Sequence, residues 1–279
     1  MFSLLLALSL AYSVGEEQII IVHDRNRPLN VEKQELFSEG IGKPFYDEEE
    51  LNDLLERVDA SISNPPQNAF IDQHGSIREG VSGYRLKREK FQTKILETLY
   101  QKGTTWVEPD VVIQYPRVNA ELLASIRRKE VGAFVTHFRK SNVERTSNIV
   151  LAADAINNTV VFPGETFSFN QTVGKRTKER GYLPAPIIVK GELSEGIGGG
   201  ICQVSSTLFN AVDLAGVQIL ERYSHSRSVP YVKPGRDATV SWYGPDFSFR
   251  NDHHQPLLIS AKVLEGSVVI RIYSSEENQ

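Results

Sequence analysis

The sequence predicts an α+β protein, a small α+β N-terminal module followed by a strand-rich α+β domain. Three observations carry this. Leu51, Leu54, Leu55, Val58 and Ile62 fall on one helical face, the spacing of an amphipathic helix. Short β-branched runs such as Val111-Val112-Ile113 and Val268 to Tyr273 are too brief for helices and read as strands. No fixed-period repeat or low-complexity segment is present. The 279 residues are 40% hydrophobic and 24% charged, the composition of a globular protein with one or two domains.

The chain opens on Met1 to Tyr12, an apolar run of signal-peptide length, and Ala11-Tyr12-Ser13 offers a small-x-small cleavage site. No positive charge precedes the run. Residues 1–15 are therefore expected to be a signal peptide or a clipped membrane anchor, which makes the protein extracytoplasmic, secreted or membrane-anchored. Residues 16–126 form the first module. Glu17 to His23 read as a strand, and a helix beginning near Asp47 ends at Asn64-Pro65-Pro66, because proline cannot continue the ladder. Ala69-Phe70-Ile71 and Ser76-Ile77-Arg78 flank Gln73-His74-Gly75 as a hairpin. Phe91, Ile95 and Leu99 mark a second helix.

Residues 127–279 form the second domain. Val131 to Phe138 read as a strand. Ile149, Ala152, Ala153 and Ile156 place a helix over Arg145 to Asn157. Val160 to Asn170 is rich in strand and loop. Gln203 to Ala215 reads as a helix stopped by Gly216. Strands follow at Gln218 to Arg222, Pro230-Tyr231-Val232, Leu257 to Val263 and Val268 to Tyr273.

The net charge of -4 argues against nucleic-acid partners, which call for a basic face. His253-His254 has no metal-ligand spacing, and the phosphate-loop pattern is absent. No metal and no cofactor is expected.

The one cysteine, Cys202, follows Gly198-Gly199-Gly200 at the start of the fourth predicted helix. A helix N-terminus favours the thiolate through its dipole and free N–H groups. Glycines allow a tight turn and bare backbone N–H groups that could receive an oxyanion; Gly199, Gly200 and Gln203 are the candidates. Two readings stay open at this point, a nucleophile or a small buried hydrophobe. The polar run Gln203, Ser205, Ser206, Thr207 tilts toward the first, with Ser205 and Ser206 placed to meet substrate. A cysteine nucleophile needs a base. His225, at the end of a predicted strand, is the candidate, ahead of His23, His74, His137 and the 253–254 pair. Asp237 could orient its imidazole or serve as a turn aspartate after Pro234-Gly235. Arg227 and Arg236 could bind a substrate carboxylate or be solvated charges.

Several ordered motifs then carry a resemblance. They are Arg145-x-x-Asn148-Ile149 with Ala152-Ala153, Phe162-Pro163-Gly164-Glu165-x-Phe167-Ser168-Phe169-Asn170, Val173-Gly174, Gly198 to Leu208, His225-Ser226, Tyr231-Val232 and Gly235-x-Asp237-Ala238-Thr239-Val240. Over Arg145 to Tyr273 the chain resembles a VanW domain. Residues Pro44 to Pro116 resemble, more loosely, the peptidoglycan-binding domain that often precedes it, through Pro66-x-Asn68-Ala69 and Gly80-x-x-Gly83-Tyr84. The resemblance implies a bacterial cell-envelope protein whose partners are peptidoglycan stem peptides. It implies a cysteine L,D-transpeptidase making 3-3 cross-links, with Cys202 as nucleophile and His225 as base. The alternatives are a non-catalytic wall-binding or envelope-assembly protein, and a cysteine hydrolase acting on stem peptides.

Overall fold

The structure, a computed structural model, describes residues 17–22, 28–38, 45–189 and 192–275. The expected leader over 1–15 and His23 lie outside them. In chain order the first elements are β1 (Gln18–Ile21), β2 (Leu29–Glu32), α1 (Glu48–Ile62), β3 (Phe70–Ile71), β4 (Ile77–Arg78) and β5 (Gly83–Leu86). Then come α2 (Arg88–Leu99), β6 (Thr105–Val107), β7 (Val111–Gln114) and α3 (Ala120–Ile126). The mixture of helix and strand is that of an α+β fold.

The chain divides into two compact units, and the division is interleaved. The described residues up to Asn68, with Gly80–Arg117, make the first; Ala69–Glu79 and Val118 onward make the second. In the first unit β1 lies between β2, antiparallel, and β6, parallel, while β5 and β7 form a separate antiparallel pair. Leu51, Leu54, Leu55 and Val58 of α1 pack with Phe91, Ile95 and Leu99 of α2 and Ile19 of β1. Asp47 caps α1 by accepting from the N–H groups of Glu49 and Glu50, the usual answer to unpaired first-turn donors. Lys33 is fully buried and donates to the carbonyls of Gln101 and Gly103 at 2.6 and 2.8 Å.

The second unit continues with β8 (Lys129–His137), α4 (Val143–Ile156), β9 (Thr159–Val161), β10 (Thr166–Ser168), α5 (Phe169–Val173), β11 (Pro184–Val189) and β12 (Glu192–Ile197). It ends with α6 (Ile201–Leu214), β13 (Gln218–Glu221), β14 (Ser248–Arg250), β15 (Leu257–Leu264) and β16 (Ser267–Ser274). An antiparallel sheet of order β8-β16-β15-β9 is its backbone. Helices α4 and α6 cover it, burying Ile149, Ala152, Val204, Leu208 and Val212 with Leu257, Ile259, Val268 and Ile270. Gly132 lets α6 approach β8: a Cβ there would lie 2.2 Å from the Ala211 carbonyl oxygen. Leu123 and Ile126 of α3, together with Ala69, pack on Leu258. Strands β10, β14 and β13 form a second sheet around stacked Phe167 and Phe249.

The structure differs from the sequence reading at several points. The expected boundary at 126/127 falls inside the second unit, because α3 and the β3–β4 hairpin pack on its sheet. Helix α3 has too few residues to display a period. Phe169-Asn170 belongs not to a strand but to α5, capped by Ser168 accepting from the Gln171 N–H. Pro230-Tyr231-Val232 is a turn rather than a strand; Pro230 and Pro234 bracket it without N–H groups to offer a ladder. His225 accordingly lies in irregular chain beyond β13, not at a strand end.

Candidate active site

Helix α6 is buried on nearly every side although its first turns are polar: Gln203, Ser205, Ser206, Thr207 and Asn210 are all at most 1% exposed. Beside it lies the segment 236–240, which belongs to no helix or strand. Buried backbone groups must be paired, and the helix supplies the partners. Ser205 Oγ donates to the Ala238 carbonyl at 2.5 Å, Ser206 Oγ accepts from the Ala238 N–H at 2.9 Å, and Asn210 Nδ2 donates to the Arg236 carbonyl at 2.8 Å. Ser205 and Ser206 are thus clamps, not the substrate contacts expected of them. This zipper sets Asp237, Thr239 and Val240 against the helix start.

Three predicted residues meet there. The half-buried Cys202 thiol lies 3.5 Å from the Val240 carbonyl oxygen and 3.8 Å from Thr239 Oγ1. Asp237 Oδ2 accepts from the backbone N–H of His225 and pairs with its Nδ1, both at 2.6 Å. His225 and the Cys202 sulfur shift each other's protonation; with Nδ1 taken by Asp237, the nitrogen left to serve the sulfur is Nε2. The His225 and Asp237 side chains are only 7% and 8% exposed.

The electrostatics follow from this order. Burial pushes the Cys202 thiol up, but His225, with hydrogen bonds at Val240 and Thr239, brings it below its ordinary value. Burial pushes His225 down, and the Cys202 sulfur and Asp237 carboxylate together raise it above its ordinary value. Asp237 is lowered despite its own burial, by its bonds to His225. All three shifts favour thiolate, imidazolium and carboxylate.

The glycine turn is shaped by packing. Gly200 is the α6 N-cap at φ 108° and Gly198 has φ 87°, backbone that side chains rarely adopt. A Cβ on Gly199 would lie 2.6 Å from the Pro186 carbonyl oxygen; one on Gly200 would lie 2.9 Å from Cγ of Arg145. Asn148, fully buried, anchors the turn by donating to the carbonyls of Leu183 and Gly199 and accepting from the Leu183 N–H. Gln203 is not an oxyanion donor. Its Nε2 donates to Thr136 Oγ1 and the His137 carbonyl, its Oε1 accepts from Arg145, and its N–H donates to the Gly200 carbonyl. The Cys202 N–H, by contrast, donates to no carbonyl among the described residues, which leaves it open as an oxyanion donor.

Arg236 is also elsewhere than expected: it binds Asn210 and Asp213 and covers the Phe209 ring. Arg227 is exposed in the loop two residues beyond His225. The arginines whose charges reach the sulfur are Arg145 and Arg176, and burial lowers the proton affinity of both. Tyr231 shares this electrostatic setting, its hydroxyl pushed well up by burial. Arg145 and Tyr231 stand in the quoted motifs without an assigned role. Arg176 follows Gly174-Lys175 in what reads as an ordinary charged loop, so no local signal marks it. Of the other histidines, His74 and His137 are exposed.

Known proteins resemble this chain over the same region. The family description "VanW like protein" matches residues 144–273. The chain is 55% identical over 235 residues to "Uncharacterized protein YoaR" of Bacillus subtilis (strain 168), covering 84% of this chain and 78% of that protein. It is 29% identical over 137 residues to "Vancomycin B-type resistance protein VanW" of Enterococcus faecalis (strain ATCC 700802 / V583), covering 47% of this chain and 50% of that one. No solved structure matches it. The matched segment holds Arg145, Arg176, Cys202, His225 and Asp237 together, and by these matches the chain belongs to the VanW family.

Proposed function

We propose that the protein is a cysteine L,D-transpeptidase of the bacterial cell envelope, acting on peptidoglycan stem peptides. The observation that carries this reading is the Cys202–His225–Asp237 chain at the glycine-led start of α6. It is the order of nucleophile, base and orienting carboxylate that thiol acyl transfer needs.

The Cys202 thiolate attacks the carbonyl carbon of the third stem residue, and the Cys202 N–H receives the developing oxyanion. The bond to the terminal D-alanine breaks, and its nitrogen takes the proton held on His225 Nε2. A thioester remains. The side-chain amine of a second stem attacks it, gives its proton to His225 and expels the thiolate, leaving a 3-3 cross-link. Asp237 holds the imidazole in one orientation throughout and stabilises its charged form. The first unit, in this reading, binds peptidoglycan.

Muropeptide analysis of cells expressing the protein or Cys202→Ala tests the reading. The cross-links should appear only with the thiol, and equal amounts in both would refute it. His225→Ala should lower turnover by about 10²–10⁴-fold, the usual worth of a general base. Water in place of the second amine would make the enzyme a carboxypeptidase, recognised by trimmed stems without cross-links. An unreactive thiol in the folded protein would leave a wall-binding or assembly role.

A further inference from the structure

We propose that Arg176, with Arg145 beside it, forms an anion seat next to the Cys202 sulfur that receives the free C-terminal carboxylate of the acyl donor, the carboxylate of the residue that leaves. This rests on the acyl-transfer reading and adds to it what the enzyme recognises in its donor.

The two arginines reach the glycine turn from different elements. The stem of Arg145, from α4, packs where a Cβ on Gly200 would stand, and the stem of Arg176, from the loop after α5, packs where one on Gly198 would stand. The turn is bare of side chains at the two places the arginines occupy. Arg145 is engaged by Gln203 Oε1 at 2.7 Å. Arg176 is engaged on one side only. Its Nη2 donates to Asn170 Oδ1 at 2.7 Å and its guanidinium lies over the Phe169 ring. Nη1 is buried and has no hydrogen-bond partner among the described residues.

Asp246, the carboxylate whose charge acts on Arg176, is committed elsewhere. It accepts from Ser168 Oγ and from the N–H groups of Asn170 and Phe247. A buried charged donor left unpaired is costly, and it is retained where a ligand completes it. The missing partner must be an acceptor, and two desolvated guanidinium groups select an anionic one. Both stems pack on the glycine turn that leads into Cys202, and the Cys202 charge acts on both arginines, so the anion belongs within reach of the attacked carbonyl. In a peptide cleaved at its last bond, the α-carboxylate lies one residue beyond that carbonyl, about 3.8 Å further along the chain. A seat there selects donors that end at the next residue and disfavours internal peptide bonds.

The test compares alkylation of Cys202 in the full protein by iodoacetate and iodoacetamide, for the unmutated chain and Arg176→Gln. Each variant's rate ratio cancels its thiolate fraction. The ratio should fall about tenfold in Arg176→Gln, the worth of one charge-assisted hydrogen bond. A ratio unchanged within about twofold, with the thiol still reactive, overturns the seat alone. A thiol inert to both reagents sinks the acyl-transfer reading and the seat with it. A measurement without a variant guards against misfolding. N-acetyl-D-alanine should slow iodoacetamide labelling of the unmutated protein, and its C-terminal amide should not; equal protection by both, or none by either, overturns the seat.

Discussion

At the scale of the residue, the Cys202 sulfur is pulled in two directions. Burial opposes its charge, while His225, Thr239 and the backbone at Val240 favour it, and the second group wins. The thiolate therefore persists as pH falls below the ordinary cysteine value of about 8.5, until the lowered value is reached. Labelling by iodoacetamide should accordingly rise at lower pH than for a free thiol. In Asp237→Asn the imidazolium loses its carboxylate, so the His225 value falls, the Cys202 value climbs and the labelling profile moves to higher pH. An unmoved profile would show that Asp237 does not act through His225. The same carboxylate contributes to stability. Its lowered value means the contribution is complete above the unfolded pKa of about 3.9 and is lost as pH falls through the folded one. Asn148 acts through position alone. Asn148→Ala would leave the Leu183 N–H and the Gly199 carbonyl short of a buried partner, at about 1–3 kcal/mol for each such group, read as a lower urea midpoint with unchanged slope.

At the scale of the element, α6 joins core to site. Its apolar positions were legible because Val204, Leu208, Ala211 and Val212 keep helical spacing. Its polar positions read as a face meeting substrate, whereas they bond segment 236–240 and strand β8. A polar residue looks the same in sequence whether water, substrate or a bare backbone will satisfy it. Two glycines separate packing from conformation. Gly132→Ala should cost about 1–3 kcal/mol by overpacking against α6 and slow Cys202 labelling as the helix shifts. Gly216, at φ 77° with open space around its missing Cβ, should cost about 1–2 kcal/mol as Ala through left-handed backbone alone, with labelling unchanged. Thermal denaturation and labelling rates on both variants check the contrast.

At the scale of the whole molecule, the interleaved division governs what can be cut. A chain starting at residue 127 loses α3 and the β3–β4 hairpin, which together cover Leu258. Such a chain should bind a hydrophobic dye and aggregate, while the full chain does not. Comparable dye binding by both would show that this cover is dispensable. No helix among the described residues is long and apolar enough to cross a membrane.

Taken alone, the sequence determined the α+β class, the main helices and the strands of the large sheet, because these are written in apolar periods of a few residues. It also singled out Cys202, His225 and Asp237, through residue types whose chemistry narrows their uses. The tertiary structure decided the rest. It set the histidine between sulfur and carboxylate, turned Ser205, Ser206 and Gln203 into buried clamps, and tied Arg236 to Asp213. It also brought Arg145 and Arg176 to the glycine turn. These outcomes depend on which distant segments satisfy each buried polar group, and that pairing is settled only when helix, loop and sheet are packed together.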